Sequence, residues 1–301
     1  MRARRETFDD ETPQPTMAFE PKQMSDLGVL NHGHASIFKS ALSRLLATDL
    51  AEFTLAQIVD GLPTTASFSE FHHYFHDTNH PVFALSHAEL CPGVVEKTRR
   101  IINAFVPTSL VFKTELLTAF QSTSPNTQRF DLRLLEMLTD ACHQIASYLY
   151  RLDDGVHKHS LYYAWRDSVE PASQDPRVPV DRAPTCFYHG SYQAFYQYPN
   201  GISDVAGYWA EAKILGGVAV FDRGESGAEC RDFYLHGSSR NGPATIYPPT
   251  PQQYDALLDF LIGPGDITAS LPPPSPLPIH ATLEEPVAVG FLRLDDQVQH
   301  L

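Results

Sequence analysis

Cysteine is scarce in this sequence, and its spacing argues against a disulfide framework. No two cysteines form a C-x-x-C pair, and the four lie far apart, at Cys91, Cys142, Cys186 and Cys230. The first twenty residues alternate charge and proline without the apolar core of a secretory signal, which predicts a disordered leader. Free thiols in a reducing compartment are therefore expected, and the sequence predicts a cytoplasmic protein.

Long apolar runs and an excess of positive charge are also missing. No stretch approaches the roughly eighteen apolar residues that a membrane-spanning helix requires. The chain carries 36 acidic side chains against 22 lysines and arginines, a formal net charge of −14. Nucleic acids and anionic membrane surfaces select basic patches, so we expect neither as a partner. The 43% of apolar residues is typical of a globular chain.

The common catalytic motifs are absent. There is no H-E-x-x-H metal motif, no G-x-S-x-G nucleophile turn and no G-x-x-x-x-G-K-[ST] phosphate loop. These absences favour a non-catalytic binding or interaction protein, with an unknown protein or small molecule as partner and no cofactor. The alternative hypothesis is a metabolic enzyme, of the tailoring kind, that uses a histidine cluster for metal binding or acid–base chemistry.

Helical periodicity dominates residues 26–169, after a leader predicted over residues 1–25. Apolar residues recur at three- and four-residue steps in SIFKSALSRLLATD, DLAEFTLAQIVDG, PGVVEKTRRIINAFVP and FDLRLLEMLTDACHQIASYLYRLDD. We expect Ser36 or a neighbour to cap the first helix, and Asp49 with Glu52 to form a capping box on the second, which ends at Gly61. His143 falls on the polar side of the fourth helix and is predicted to be exposed and inert.

Proline marks two further segments. Residues 170–184 contain four prolines and predict a linker or long surface loop, and residues 263–301 predict a proline-rich mobile or extended arm. The region between them, residues 185–262, mixes strand and helix patterns. The sequence leaves open whether it and the helical region are one domain or two.

Within that region the order of elements indicates a small antiparallel sheet. Aromatic residues alternate over residues 186–198, which predicts a strand or hairpin. SDVAGYWAEA predicts a short helix, ILGGVAVFD and CRDFYLHG predict paired strands, and TPQQYDALLDFLI predicts a helix capped by Thr250 and Gln253. The fold class predicted is α+β, a helical N-terminal half packed on a small antiparallel sheet with flanking helices.

The C-terminal region also carries a resemblance. Residues 203–262 contain an acidic WAE helix, GGVAVFDRG, a further strand and QQYDALLDFLI. This order is similar to a C-terminal pattern in uncharacterised proteins of filamentous fungi, and it matches best at Trp209–Glu211 and Gly216–Gly224. The resemblance implies a fungal source and an order of elements, but no activity.

A cluster of histidines is the best candidate for metal binding. The stretch SEFHHYFHDTNHPVF, residues 69–83, holds four histidines in nine positions. Ser67 and Glu70 predict a helix over residues 68–77, on which His72 and His76 lie one turn apart and could share a zinc ion. The third ligand would be His80, with His87 or Glu89 as alternatives. The competing interpretation is a solvated helix flank that binds no metal.

Aromatic side chains of the C-terminal region are the candidate ligand-binding residues. Tyr188, Tyr192 and Tyr196 could line a pocket, because tyrosine offers apolar area with a polar tip. The alternative is a sheet face packed under a helix. Trp209 is the fourth candidate, yet helical spacing places it with Val205, which predicts burial against the strand that follows.

Overall fold

The structure is a computed structural model that describes residues 23–72, 77–168, 182–237, 245–263 and 274–281. Most of the predicted leader, proline-rich linker and C-terminal arm therefore lies outside the described residues. Among these residues, no helix is both long and apolar enough to cross a bilayer.

Ten α-helices lie within the described residues and contain more than half of those residues. The bounds are α1 His32–Leu46, α2 Asp49–Asp60, α3 Thr65–Phe71, α4 Pro81–Ala84, α5 Val94–Ala104, α6 Thr114–Gln121, α7 Gln128–Leu152, α8 His159–Asp167, α9 Ile202–Leu215 and α10 Pro251–Ile262.

Helix ends follow local capping chemistry. The predicted capping box of α10 is confirmed, since Thr250 and Gln253 bond each other's backbone N–H groups. Gly61 ends α2 in the left-handed conformation, as predicted. The predicted Asp49–Glu52 box is wrong, because the Thr48 hydroxyl accepts from the Ala51 N–H instead.

Two other predicted helix starts are also wrong. Asn31 rather than Ser36 caps α1, and Thr64 rather than Ser67 caps α3. In both cases a side-chain acceptor lies earlier in the chain than the apolar periodicity suggests.

Two antiparallel sheets accompany the helices, which confirms the α+β fold. In the first, β1 (Met24–Asp26) pairs with β2 (Val111–Lys113). The second has the order β3 (Val218–Phe221), β4 (Phe233–His236) and β5 (Ile246–Tyr247). The predicted hairpin is therefore present, with Val218 opposite His236 and Phe221 opposite Phe233.

The strand predicted over residues 186–198 is wrong. This segment is a loop with one 3₁₀ turn at Phe195–Gln197. Its alternation fails at Tyr196, which is 77% exposed, whereas Tyr192 and Tyr198 are buried against Tyr208. Aromatic packing on a helix therefore explains the even spacing without a strand ladder.

Helix α9 packs alongside α7. Every residue of α9 from Ser203 to Leu215 is buried, including Asp204, Glu211 and Lys213. Trp209 is fully buried and its ring meets Phe187 at 4.9 Å between centroids, which confirms its predicted burial. One apolar cluster contains residues from α1 through α10, so the helical region and the C-terminal region share a core.

Candidate metal centre

Four donor side chains converge at the C-terminal end of α2. Asp60, His87, Cys91 and His157 each offer one donor atom, and these four atoms all lie within 4.8 Å of one another. Asp60 and His87 are buried, and Cys91 and His157 are half-buried. The donors come from a helix end, from the loop before α5 and from the loop between α7 and α8.

Two glycines let the His157 loop lie directly on the end of α2. A Cβ on Gly61 would stand 1.6 Å from the His157 carbonyl oxygen, and one on Gly155 would stand 2.3 Å from the Val59 oxygen. Gly61 has a φ of +95°, which L side chains rarely adopt. The His157 N–H donates to the Asp60 carbonyl at 2.9 Å, so this close backbone approach carries His157 to the carboxylate.

The tautomer of His87 is fixed by its neighbours. Its Nδ1 lies 3.1 Å from the Pro63 carbonyl oxygen, which can only accept, so Nδ1 carries a proton. Its Nε2 lies 3.1 Å from Oδ2 of Asp60. A neutral ring would then turn a lone pair towards a carboxylate, and the two acceptors would repel. The pair therefore requires a proton on Nε2, a proton on Asp60 or a cation between the two groups.

The Asp60 carboxylate contacts both His87 and Cys91, but one of its two oxygens has no hydrogen-bond partner among the described residues. Its Oδ2 accepts from the Cys91 N–H at 2.9 Å and faces His87. Its Oδ1 is buried and has no hydrogen-bond partner among the described residues. The Cys91 Sγ lies 3.4 Å from Nε2 of His157, which completes the cluster. A buried carboxylate oxygen without a donor is costly unless a cation or a proton satisfies it.

Burial and hydrogen bonding act together on the four groups. Burial opposes ionisation of Asp60, but its bonds with His87 and Cys91 lower its pKa below the ordinary value. The same bond to Asp60 raises the pKa of His87. Burial, aided by the Asp60 charge, raises the pKa of Cys91 to about 11, and burial lowers the pKa of His157. In the metal-free protein Cys91 is therefore a thiol, and a bound metal would displace its proton.

The donor set determines which metals fit. One thiolate, two imidazoles and one carboxylate form a set of four that suits tetrahedral Zn²⁺. Mg²⁺ and Ca²⁺ prefer shells of oxygen, which this cluster does not offer. The Nδ1–H of His87, donated to a backbone carbonyl, is the outer-shell bond typical of zinc-bound histidine. A second interpretation is a cysteine nucleophile paired with His157 as base, which the 3.4 Å contact also permits.

The histidines predicted as ligands lie elsewhere. His76 is outside the described residues, so the predicted His72–His76–His80 site stays a prediction. His72 stacks on Tyr188 at 3.8 Å, and its Nε2 is buried without a hydrogen-bond partner among the described residues. His80 caps α4, and its Nδ1 accepts from the Val82 N–H at 3.3 Å. Of the predicted alternatives, His87 belongs to the centre at Asp60.

The predicted ligand-binding aromatics do not line one surface. Trp209 is fully buried and Tyr192 is 5% exposed, whereas Tyr196 is 77% exposed. Tyr188 is half-buried and stacked on His72. The hydroxyl of Tyr192 lies 3.0 Å from Nδ1 of His236. The structure brings Tyr188 and Tyr192 to the same aromatic cluster as His189 and places Tyr196 outside it.

Sequence patterns did not identify three of the four donors as candidate ligands. Asp60 looked like an ordinary helix terminus, and Cys91 and His157 stand alone in their segments. One signal was present in HAELC, where His87 and Cys91 are four residues apart. That spacing is typical of paired ligands, but it falls in a loop rather than on a helix. Comparisons with family models, with curated proteins and with solved structures found no match for this chain.

Proposed function

We propose that the chain is a zinc-binding protein whose ion is held by Asp60, His87, Cys91 and His157. The observation that carries this proposal is the convergence of four chemically suitable donor atoms within 4.8 Å. The unmet Oδ1 of Asp60 supports it independently, because a dication beside the carboxylate would satisfy that oxygen.

The donor set favours a structural ion over a catalytic one. Catalytic zinc keeps a coordination position for water or substrate, whereas four protein donors close a tetrahedral shell. Five cavities in the part of the chain that the structure describes are lined entirely by residues other than the four donors. These features support the non-catalytic binding protein over the metabolic enzyme, and a cytoplasmic location stays part of this proposal.

A zinc ion here would link segments that are distant in sequence. It would join the end of α2 to the loops that precede α5 and α8. Backbone bonds already connect these segments, since Thr65 N–H donates to the His87 carbonyl at 2.7 Å and His157 N–H donates to that of Asp60. The ion would therefore reinforce a preformed arrangement, stabilising the folded state in proportion to its affinity.

The direct test is the metal content of the purified chain, measured by elemental mass spectrometry. We expect one zinc per chain, and loss of it in Cys91→Ser and in His157→Gln. Cys230→Ser is the matched control, because Cys230 is the other half-buried thiol. His32→Gln controls for the histidine, since His32 is exposed and capable of binding adventitious metal.

Two results would overturn the proposal. One is wild-type protein that neither contains zinc nor takes up Zn²⁺ or Co²⁺ after chelation and dialysis. The other is zinc that persists in Cys91→Ser but disappears in a His72→Gln, His80→Gln double variant, which would instead place the ion at the histidines predicted from sequence. Cobalt substitution adds a spectroscopic check, since thiolate-to-Co²⁺ charge transfer requires the Cys91 sulfur.

A further inference from the structure

A second polar cluster lines a cavity away from the metal centre. The cavity has a volume of about 320 Å³ and lies between α7, α9 and β3, with α6 at one side. This volume is at the lower end of the range of about 300–1,000 Å³ found for small-molecule sites. Its apolar walls come from Leu116, Ala119, Ala219 and Phe221.

Two arginines share one carboxylate at one end of the cavity. Glu136 accepts from Arg133 at 2.7 Å through Oε2 and meets Arg223 at 2.6 Å through Oε1. Arg133 also donates to the Ala228 carbonyl at 2.6 Å. Glu136 is 8% exposed, so the trio lies largely out of solvent. Two guanidinium groups against one carboxylate leave an excess of positive charge at this end.

The other end of the cavity holds His143, which the sequence wrongly predicted to be exposed. It is 2% exposed, with Nε2 3.3 Å from Oδ1 of Asp204 and Nδ1 3.7 Å from Oε2 of Glu211. Burial opposes its protonation, but these carboxylates outweigh burial and raise the pKa of His143 to about 9. The error arose because the polar side of α7 faces the buried polar residues of α9 instead of solvent.

A glycine makes room for that ring. A Cβ on Gly207 would stand 2.6 Å from Nε2 of His143. Gly207 lies inside α9, where glycine is unfavourable relative to alanine by roughly 1 kcal/mol. Gly207 therefore lowers the stability of α9 but leaves space for the imidazole of His143.

Two buried side chains that line the cavity have an N–H group without a hydrogen-bond partner among the described residues. Nε of Arg223 is buried without a partner, and Nδ1 of His143 lacks a hydrogen bond as well. Three of the four carboxylates that line the cavity are engaged, Glu136 by two arginines, Glu211 by the Ala219 N–H and Asp140 by Gln144 at 3.0 Å, whereas Glu115 is exposed. A cation would find these three carboxylates already engaged, whereas a molecule that brings acceptors could pair with the guanidinium groups that line the cavity.

The concentration of buried charge argues for a site over packing alone. Buried ion pairs contribute little net stability compared with apolar residues of the same volume. Groups with displaced pKa values gather at functional sites. Burial raises the pKa of Asp140, which also lines the cavity, to about 6.

We infer that this cavity binds a small organic anion, whose charged group is held by Arg133 and Arg223 and whose other end meets His143. The apolar side walls at Leu116 and Phe221 would contact the carbon frame of such a ligand. The inference is independent of the metal centre, because none of the four zinc donors lines this cavity.

Three probes with the same ring and different head groups test the inference. Benzoate, phenyl phosphate and benzamide are titrated by calorimetry into the full chain with its metal bound. Saturable binding is expected for at least one of the two anions, and their relative affinity shows whether the site takes a carboxylate or a phosphate. Neutral benzamide is expected to bind at least about tenfold more weakly, since hydrogen bonds to a charged partner are the stronger ones.

Variants separate this site from general charge effects. Arg223→Gln is expected to weaken anion binding by about ten- to a hundredfold. Arg99→Gln is the matched control, because Arg99 also pairs with a glutamate, Glu52, but on the surface. Ala119→Phe keeps every charge and fills the cavity from partly exposed α6, so it should abolish binding even if Arg223→Gln folds poorly.

Three outcomes contradict the inference. They are no saturable binding of either anion, benzamide binding as tightly as the anions, and anion binding that survives Ala119→Phe in a folded protein. Cys91→Ser, if it folds, should bind the anion as the wild type does, so failure of the zinc proposal and failure of this one are distinguishable.

Discussion

The centre at Asp60 and the cavity at His143 are both built from buried histidine and carboxylate groups, but they differ in the space beside them. At Asp60 the four donor atoms lie within 4.8 Å of one another. At His143 three carboxylates are already bonded, and Arg133, Arg223 and His143 line a cavity of about 320 Å³. Similar side chains therefore favour a small cation in one place and a larger anion in the other.

The two regions also differ in what their glycines face. At Gly61 the obstacle to a side chain is the backbone of the His157 loop, whereas at Gly207 it is the His143 ring. A backbone obstacle can move only with its whole loop, but a ring can turn away. Alanine substitutions at these positions should therefore affect the two sites unequally.

The largest effect is expected for Gly61→Ala. The new Cβ would overlap the His157 oxygen at 1.6 Å, and φ of +95° adds strain, so the free energy of unfolding should fall by about 3 kcal/mol or more. Zinc content should fall with it, because His157 is displaced. Denaturant unfolding and elemental analysis measure the two effects.

Gly93→Ala is the matched control for that variant. Its φ of +83° is similar, but a Cβ there has no atom within 4 Å. The free energy of unfolding should fall only by the cost of backbone strain, about 1 kcal/mol, and the zinc content should stay unchanged. Equal losses in the two variants would show that the contact of the His157 loop with α2 is unimportant.

An intermediate effect is expected from pH at the cavity. The pKa of His143 is raised from 6.5 to about 9, so its stabilising charge is complete below pH 6.5 and is lost as the pH rises through about 9. One pKa unit corresponds to about 1.4 kcal/mol, which gives a loss of roughly 3 kcal/mol for this group. Asp204 and Glu211 from α9, and Asp140 from α7, are the charged groups that face it.

His143→Gln isolates that contribution. Unfolding of wild type and variant is measured between pH 6 and pH 9.5. The variant should be less stable at the acidic end and should lose less stability on the way to alkaline pH. Parallel curves for the two proteins would mean that His143 is not charged in the folded state.

The smallest effect is expected for Gly207→Ala. Alanine favours the helix by up to about 1 kcal/mol, but its Cβ must push the His143 ring away from Asp204, so the net loss should be about 1 kcal/mol. Zinc content should stay unchanged, whereas the pH dependence attributed to His143 should weaken. A loss of zinc here would contradict the independence of the two sites.

Local patterns predicted the elements better than the sites. The caps of α10, the end of α2, the hairpin of β3 with β4 and the burial of Trp209 all follow from neighbours in sequence. The strand predicted over residues 186–198 is absent because the tyrosines of this segment pack on a helix and not in a sheet. Periodicity indicated that Tyr192 and Tyr198 would be packed, but not what covers them, and it did not predict the exposure of Tyr196 or the burial of His143.

The sites depend on contacts between distant segments, which a single sequence does not encode locally. His157 reaches Asp60 only because Gly61 and Gly155 allow two backbones to touch. His143 looked exposed because its helix face is polar, and only the packing of α9 supplies the carboxylates that bury it. A histidine-rich stretch drew attention to His72, while the donors that converge come from a helix end and two separate loops.

X-ray absorption at the zinc edge of the purified protein tests the central claim most directly. The account predicts a four-coordinate shell with one sulfur at about 2.3 Å and three nitrogen or oxygen donors at about 2.0–2.2 Å. Cys91→Ser should remove the sulfur contribution from any zinc that remains. A wild-type shell without sulfur would contradict the assignment of the ion to Asp60, His87, Cys91 and His157.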